Sequence, residues 1–321
     1  MIEVVDLCKN FKYYEKEEGL KAGITNLFNR KVLTKEVIKS INFSICEGEK
    51  VGFIGPNGAG KTTTLKMLSG ILYPTSGMAK VMGYIPWERS KEFKMKFSFM
   101  MGQRSQLWVD LPAVDSLGLY KYIYEISNEQ YNTVVSELMD LLNIGHLKNI
   151  QVRRLSLGER MKFEFVASML HHPQILFLDE PTIGLDIIAQ HSIREFLKEY
   201  NHRYNTTIIL TSHYLKDIED ICDRVILINN GSLVFDNSLE KLKEGISGRK
   251  VIVFDYSGQN KEEMSRVLDA AVEIDNSKVK ILVDKKHINK LMPIIIQKYS
   301  ENISIEDTSL ENEIEHLYTK I

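Results

Sequence analysis

Ile41, Phe43 and Ile45 alternate with Asn42 and Ser44, the two-residue period of a strand with one buried face, over residues 37–45. Residues 1–7 alternate more weakly and predict an edge strand. Past a Glu47-Gly48 turn, the apolar run Lys50-Val51-Gly52-Phe53-Ile54 predicts a buried strand. The period then lengthens, and Leu65 and Leu68 share one face of a helix expected to start at Lys61. Helical spacing also relates Leu20, Ile24, Leu27 and Phe28 within an extra segment, 14–36, and Val134, Leu138, Leu141 and Leu142 within a mostly helical stretch, 115–170. From 174 to 235 strands (175–178, 207–210, 225–228) alternate with helix (193–200), the rhythm of a parallel sheet flanked by helices.

The pattern breaks near residue 240. Lys243-Glu244-Gly245-Ile246-Ser247-Gly248-Arg249 predicts a linker over 241–249. Beyond it come strand (251–254), helix (261–270), strand (271–275), strand (279–283), helix (287–298), strand (303–305) and a last helix. The order β-α-β-β-α-β predicts a small ferredoxin-like α+β domain over 250–321. It holds no catalytic constellation, and its expected role is regulation, dimerisation or added stability.

Composition narrows the class. At 321 residues, 44% hydrophobic and 26% charged, the chain has the makeup of a soluble globular protein with room for two domains. Its 41 basic and 43 acidic residues nearly cancel, so no basic field argues for nucleic acid. No apolar stretch approaches the ~18 residues that span a bilayer, and the N-terminus lacks the pattern of a signal peptide. Cys8, Cys46 and Cys222 form no C-x-x-C pair and read as reduced thiols.

The chemistry concentrates in Gly55-Pro56-Asn57-Gly58-Ala59-Gly60-Lys61-Thr62, the G-x-x-x-x-G-K-[ST] pattern between a strand and a helix. Its backbone N–H groups, with Thr63 at the helix start, cradle phosphate oxygens. Lys61 reaches the β and γ phosphates, Thr62 can hold Mg²⁺, and the helix N-terminus adds positive potential. Downstream, Ile175-Leu176-Phe177-Leu178 ends in two carboxylates. A buried strand carries Asp179 to its carboxyl end beside the phosphate loop, where it can hold Mg²⁺ directly or through water. Glu180 is then placed to polarise a water that attacks the γ-phosphate.

Leu155-Ser156-Leu157-Gly158-Glu159 stands between these two motifs. It resembles the Leu-Ser-Gly-Gly-Gln signature of the ATP-binding cassette (ABC) family, and the motifs over residues 1–240 follow that family's order. The resemblance implies an ABC ATPase domain over 1–240, with a parallel core sheet, an antiparallel edge and a helical subdomain at about 104–170. It implies that Ser156, Gly158 and Glu159 meet the γ-phosphate held by an opposite subunit. It also implies that His213 contacts the γ-phosphate, that Gln103 (Gln106 being a near alternative) touches Mg²⁺ and the attacking water, and that Asp186 crosses between subunits. Phe11 matches the aromatic that stacks on adenine, with Tyr13 and Tyr14 as alternatives. Leu157 and Glu159 depart from the signature, and Gly184-Leu185-Asp186 departs from the commoner Ser-Ala-Leu-Asp loop.

One signature and one phosphate loop per chain imply a two-fold pair with two shared ATP molecules. The chain resembles the ATP-binding subunits of bacterial exporters whose permease is a separate chain. That implies a peripheral protein on the cytoplasmic face of the membrane. Leu107, Trp108, Leu111 and Pro112 are then expected in the groove that receives the permease. The helix within 14–36 either packs on its own domain or meets the membrane partner or lipid, helped by Arg30, Lys31 and Lys35. The rival reading is a soluble ABC ATPase acting on nucleic acid or ribosomes. Against it stand the missing heptads, the single cassette and the missing basic patch. The transported substrate is not encoded in these motifs.

Overall fold

The computed structural model describes residues 1–14, 32–102, 104–256, 261–268, 272–275, 277–299, 302–307, 310 and 314. Gln103, the stripe from Leu20 to Phe28 with Arg30 and Lys31, and most of the expected last helix lie outside the described residues. The chain divides into two compact units, Met1–Asp236 and Asn237–Ile321.

The first unit runs β1 (Ile2–Tyr14), β2 (Val32–Ile45), β3 (Lys50–Ile54), α1 (Lys61–Leu68), β4 (Ser76–Val81), a turn of helix at Lys91–Lys94, and β5 (Phe97–Met101). It continues with α2 (Ala113–Ile123), α3 (Asn128–Leu141), α4 (Leu157–Met169), β6 (Ile175–Asp179), α5 (Ile187–Tyr204), β7 (Thr207–Thr211), α6 (Leu215–Ile221), β8 (Arg224–Asn229) and β9 (Ser232–Ser238).

The main sheet is ordered β5-β6-β7-β3-β8-β9. Its β5, β6, β7, β3 and β8 pair in parallel. Every residue of β6 and β7 is buried, because both faces of this parallel sheet are covered and neither is left polar to alternate. β9 returns through Asn230-Gly231, whose φ values of 48° and 81° suit a two-residue hairpin turn. The carboxyl ends of β3, β5, β6 and β7 therefore open on one edge of the sheet, and the loops that leave them are neighbours.

A second sheet of the unit is ordered β2-β1-β4, with both pairings antiparallel. This corrects the expectation of an edge strand over 1–7. Ile2, Val4 and Leu7 are buried, and β1 has β2 on one side and β4 on the other. The segment Ser76–Val81 carries too few apolar residues to announce itself as that second partner. Pairing of β1 with β2 continues to Tyr14 opposite Val32, which sets Phe11 across from Lys35.

The second unit runs α7 (Leu239–Ser247), β10 (Arg249–Asp255), α8 (Lys261–Leu268), β11 (Val272–Asp275), β12 (Lys278–Asp284), α9 (Lys285–Lys298) and β13 (Ile303–Asp307). The sheet order β11-β12-β10-β13, antiparallel at each pairing, is the split β-α-β arrangement of a ferredoxin-like domain. Ile252, Phe254, Met264, Val279, Ile281 and Ile295 form its core. The linker expected over 241–249 is corrected: it is α7 and the first residue of β10. Leu239 and Leu242, one helical turn apart, are buried, and that anchor outweighs the helix-weakening Gly245.

Candidate functional site

The loop between β3 and α1 closes around glycines that no other residue replaces. Gly60 caps α1 with φ at 113°, and a Cβ there would stand 2.3 Å from Ile38 Cδ1. Lys61, buried at the first position of α1, donates its ammonium to the Gly55 carbonyl at 2.5 Å. Burial pulls the Lys61 pKa down, while the charges of Glu180 and Asp179 hold it up.

Next to Lys61, the Thr62 hydroxyl lies 2.9 Å from both oxygens of Asp179 and donates to that carboxylate. Thr211, at the end of β7, donates its hydroxyl to Asp179 Oδ1 at 2.8 Å. The Glu180 N–H donates back to Thr211 Oγ1 at 3.1 Å. Adjacent strand ends thus lock the loop residues by short polar links. Glu180 itself has φ at 55°, a backbone strain of roughly 1 to 3 kcal/mol that its neighbours sustain.

The Glu180 carboxylate accepts the His213 backbone N–H at 3.0 Å through Oε2. His213 Nε2 stands 3.3 Å from Oε1, and Oε1 has no hydrogen-bond partner among the described residues. Burial raises the Glu180 pKa, assisted by Asp179 and opposed by His213 and Lys61.

These groups share a cleft of about 710 Å³. Phe11, the loop from Pro56 to Thr63, Asp179, Glu180 and His213 all line it. Gly102 and Arg104 line it too, so the chain on either side of Gln103 enters the site, although Gln103 is outside the described residues. A Cβ on Gly102 would fall 1.9 Å from the Glu180 carbonyl, so only glycine lets the end of β5 run this close to Glu180.

Of the three candidate aromatics, Phe11 and Tyr13 line the cleft and Tyr14 does not. Both belong to the face of β1 that carries Lys9, whose ammonium sits 5.0 Å from the Phe11 ring centre. Lys35, Lys66 and Arg104 line the cleft without having been singled out as site residues. Lys35 reaches it through the β1–β2 register, which no local motif specifies. Lys66 follows from the phosphate loop by one helical turn, a signal that was available.

Ser156, Gly158, Glu159 and Asp186 are not among the residues lining this cleft. Ser156 caps α4, and its side chain accepts the Glu159 N–H. Asp186 caps α5, accepting the Ala189 N–H at 2.8 Å. Ile187 and Ile188, which follow it, are 80% and 83% exposed. In the loop after β5, Leu107 is buried while Trp108, Val109 and Leu111 are exposed. Glu164 of α4 holds that loop from below, accepting the Ser105 hydroxyl at 2.5 Å and the Gln106 N–H at 2.9 Å.

The sequence profile of the ABC transporter family matches residues 38–183. The linearmycin resistance ATP-binding protein LnrL of Bacillus subtilis (strain 168) is 28% identical over 82% of this chain and 85% of its own length. The ABC transporter ATP-binding protein NatA of the same organism is 30% identical over 68% of this chain and 88% of its own. Among solved structures, the dimeric ATP-binding cassette MJ0796 bound to ADP and Pi superposes with a TM-score of 0.61, at 21% identity, over 74% of this chain and 99% of that one. This last likeness is one of fold.

Proposed function

We propose, from the premise that this chain belongs to the ATP-binding proteins of the ABC transporter family and is an ATP hydrolase, that it powers export through a separate transmembrane permease. The observation that carries the reading is the linkage of Thr62, Asp179, Thr211, Glu180 and His213 around one phosphate-loop cleft. ATP sits in that cleft with its phosphates on the Pro56–Thr63 backbone and Lys61, and its base on Phe11 or Tyr13. Thr62 and Asp179 offer the hard oxygen donors that suit Mg²⁺, with Gln103 completing the set. Mg²⁺, when bound, neutralises charge on the phosphates. Glu180 takes the proton of the attacking water, and its raised pKa brings it nearer the working pH than an ordinary carboxylate. His213 holds Glu180 in place and meets the γ-phosphate.

Ser156, Gly158 and Asp186 act on the ATP of a second copy, giving a two-fold dimer with two shared nucleotides. Two findings support this: these residues stand outside the cleft of their own chain, and MJ0796 is dimeric. No helix among the described residues is long and apolar enough to cross a membrane, and the transport reading pairs this chain with a separate permease. Trp108, Val109 and Leu111 form the exposed apolar surface offered to it, at the cytoplasmic face of the membrane.

The reading is tested by measuring ATP hydrolysis, and by sedimentation with ATP after Glu180→Gln. Expected are a hydrolytic parent and a variant that binds ATP and sediments as a dimer. A Glu180→Gln variant that turns over normally removes Glu180 from its role.

A further inference from the structure

Ser156 Oγ accepts the Glu159 N–H at 3.3 Å, and Glu159 Oε2 accepts the Ser156 N–H at 2.8 Å. These two bonds are the reciprocal pair of a capping box. A third contact exceeds it: Ser156 Oγ lies 2.9 Å from Glu159 Oε2. A hydroxyl has one proton and an ionised carboxylate only accepts. The Ser156 proton is therefore committed to Glu159, in a charge-assisted bond of the stronger kind. The two Ser156 donors, backbone N–H first, hold the Glu159 pKa below the usual carboxylate range, so the acceptor is charged at neutral pH.

We propose that Glu159 is a positioning residue that restrains the signature, keeping the Ser156 proton until the γ-phosphate of a partner's ATP takes it. The inference rests on the reading of Ser156 as a phosphate contact across the dimer. Two effects act in the same direction. Ser156 breaks a charge-assisted bond before it donates to phosphate. The carboxylate also leaves a fixed negative charge beside the polyanion it must meet. Lys162 supplies positive charge facing Glu159, but it spends a donor on the Leu142 carbonyl at 3.1 Å. The result is a dimer that closes on ATP less tightly, and reopens more readily, than one with glutamine at 159. Glutamine is the discriminating substitution, because it serves a capping box as well as glutamate does while carrying no charge.

The test uses the full chain in the Glu180→Gln background and reads, by sedimentation, the ATP concentration that gives half-maximal dimer. Glu159→Gln is expected to lower it about fivefold, the difference between a charge-assisted and a neutral hydrogen bond, with a urea midpoint slightly below the parent's, since the charge lost from the first helical turn stabilises the fold. A requirement for ATP that is unchanged or higher overturns the proposal, since a purely structural cap predicts that outcome. Ser156→Ala separates the two levels. If it abolishes the dimer while Glu159→Gln changes nothing, the trans contact stands and the restraint falls. If Ser156→Ala dimerises at the parental ATP concentration, the trans contact is wrong and the restraint falls with it.

Discussion

His213 grips Glu180 at both ends of the carboxylate, donating its backbone N–H to Oε2 at 3.0 Å and holding Nε2 3.3 Å from Oε1. The grip crosses from the loop after β7 to the loop after β6 and fixes a side chain whose own backbone is in the left-handed region. Glu180→Gln keeps the shape and removes the proposed base. Its ATP turnover is expected to fall at least about 100-fold, the usual worth of a positioned general base. A fluorescent ATP analogue should still bind with the parental affinity.

The same pair predicts a pH profile. Burial raises the Glu180 pKa and His213 opposes that rise. A base is active when deprotonated, so activity is lost as pH falls through this raised pKa, at a higher pH than for an exposed glutamate. His213→Ala keeps the backbone N–H but removes the imidazole, and the Glu180 pKa climbs further. The acid limb of the normalised kcat profile is expected to move to higher pH. A limb that stays put, or moves down, means that another group sets it.

Much of this site was legible in the sequence because its parts are local. A glycine-rich turn, an apolar strand ending in Asp179-Glu180 and a histidine after the next strand each carry their geometry in a few adjacent residues. Lys35 and Arg104 were not legible as site residues. Lys35 depends on the pairing that sets it opposite Phe11, and Arg104 on how closely Gly102 lets β5 approach Glu180. In the fold, the alternation of buried runs and helical stripes gave the parallel sheet and the ferredoxin-like unit. The central place of β1 was hidden because Ser76–Val81, its second partner, has no clear alternation. The helix Leu239–Ser247 was hidden because Gly245 and Gly248 resemble linker composition while Leu239 and Leu242 do the anchoring.

His171 makes stability depend on acid. Its ring stacks on Tyr124 with centroids 3.7 Å apart, its Nε2 is 3.2 Å from the Phe97 carbonyl, and Nδ1 is buried without a hydrogen-bond partner among the described residues. Burial lowers its pKa from 6.5 to about 4. Between those values the unfolded chain takes up a proton that the folded one refuses. The contribution is therefore complete above pH 6.5 and is lost as pH falls toward 4. At about 1.4 kcal/mol per pH unit it amounts to at most roughly 3 kcal/mol, less for the solvent contact the ring keeps. Urea midpoints should fall across this window. His171→Phe should flatten the fall, leaving the smaller contribution of His172, whose pKa burial also lowers.

Trp108 is 53% exposed; its N–H donates to Ser116 Oγ at 3.0 Å and its carbonyl accepts the Leu111 N–H at 3.1 Å. Trp108→Ala should leave the thermal midpoint within about 1 °C of the parent, since a surface change of this kind costs under roughly 0.5 kcal/mol. The loss is expected in membranes. When the protein is expressed with the proposed permease, the variant should pellet with them far less than the parent does. Equal pelleting would move the permease contact elsewhere.

Asp217 is fully buried and gathers three donors from three directions: Arg194 Nη1 at 3.0 Å, the Ser212 hydroxyl at 2.8 Å and the Thr182 hydroxyl. Thr182 follows Glu180 by two residues and Ser212 precedes His213, so one carboxylate braces both loops that hold the proposed hydrolytic pair. Arg194, itself buried, ties the same node to α5, the helix that Asp186 caps. Asp217→Ala leaves the buried Arg194 guanidinium with Asp220 Oδ2, 3.0 Å from its Nε, as its remaining charge partner, and frees both hydroxyls. Removing one partner of a buried ion pair costs roughly 3 to 5 kcal/mol, so the urea midpoint should drop steeply. The double variant Asp217→Leu with Arg194→Met replaces the pair by apolar volume and should recover most of that stability. It should not recover ATP turnover, because the brace between the loops of Glu180 and His213 stays broken. If the double variant regains both, the node serves folding alone.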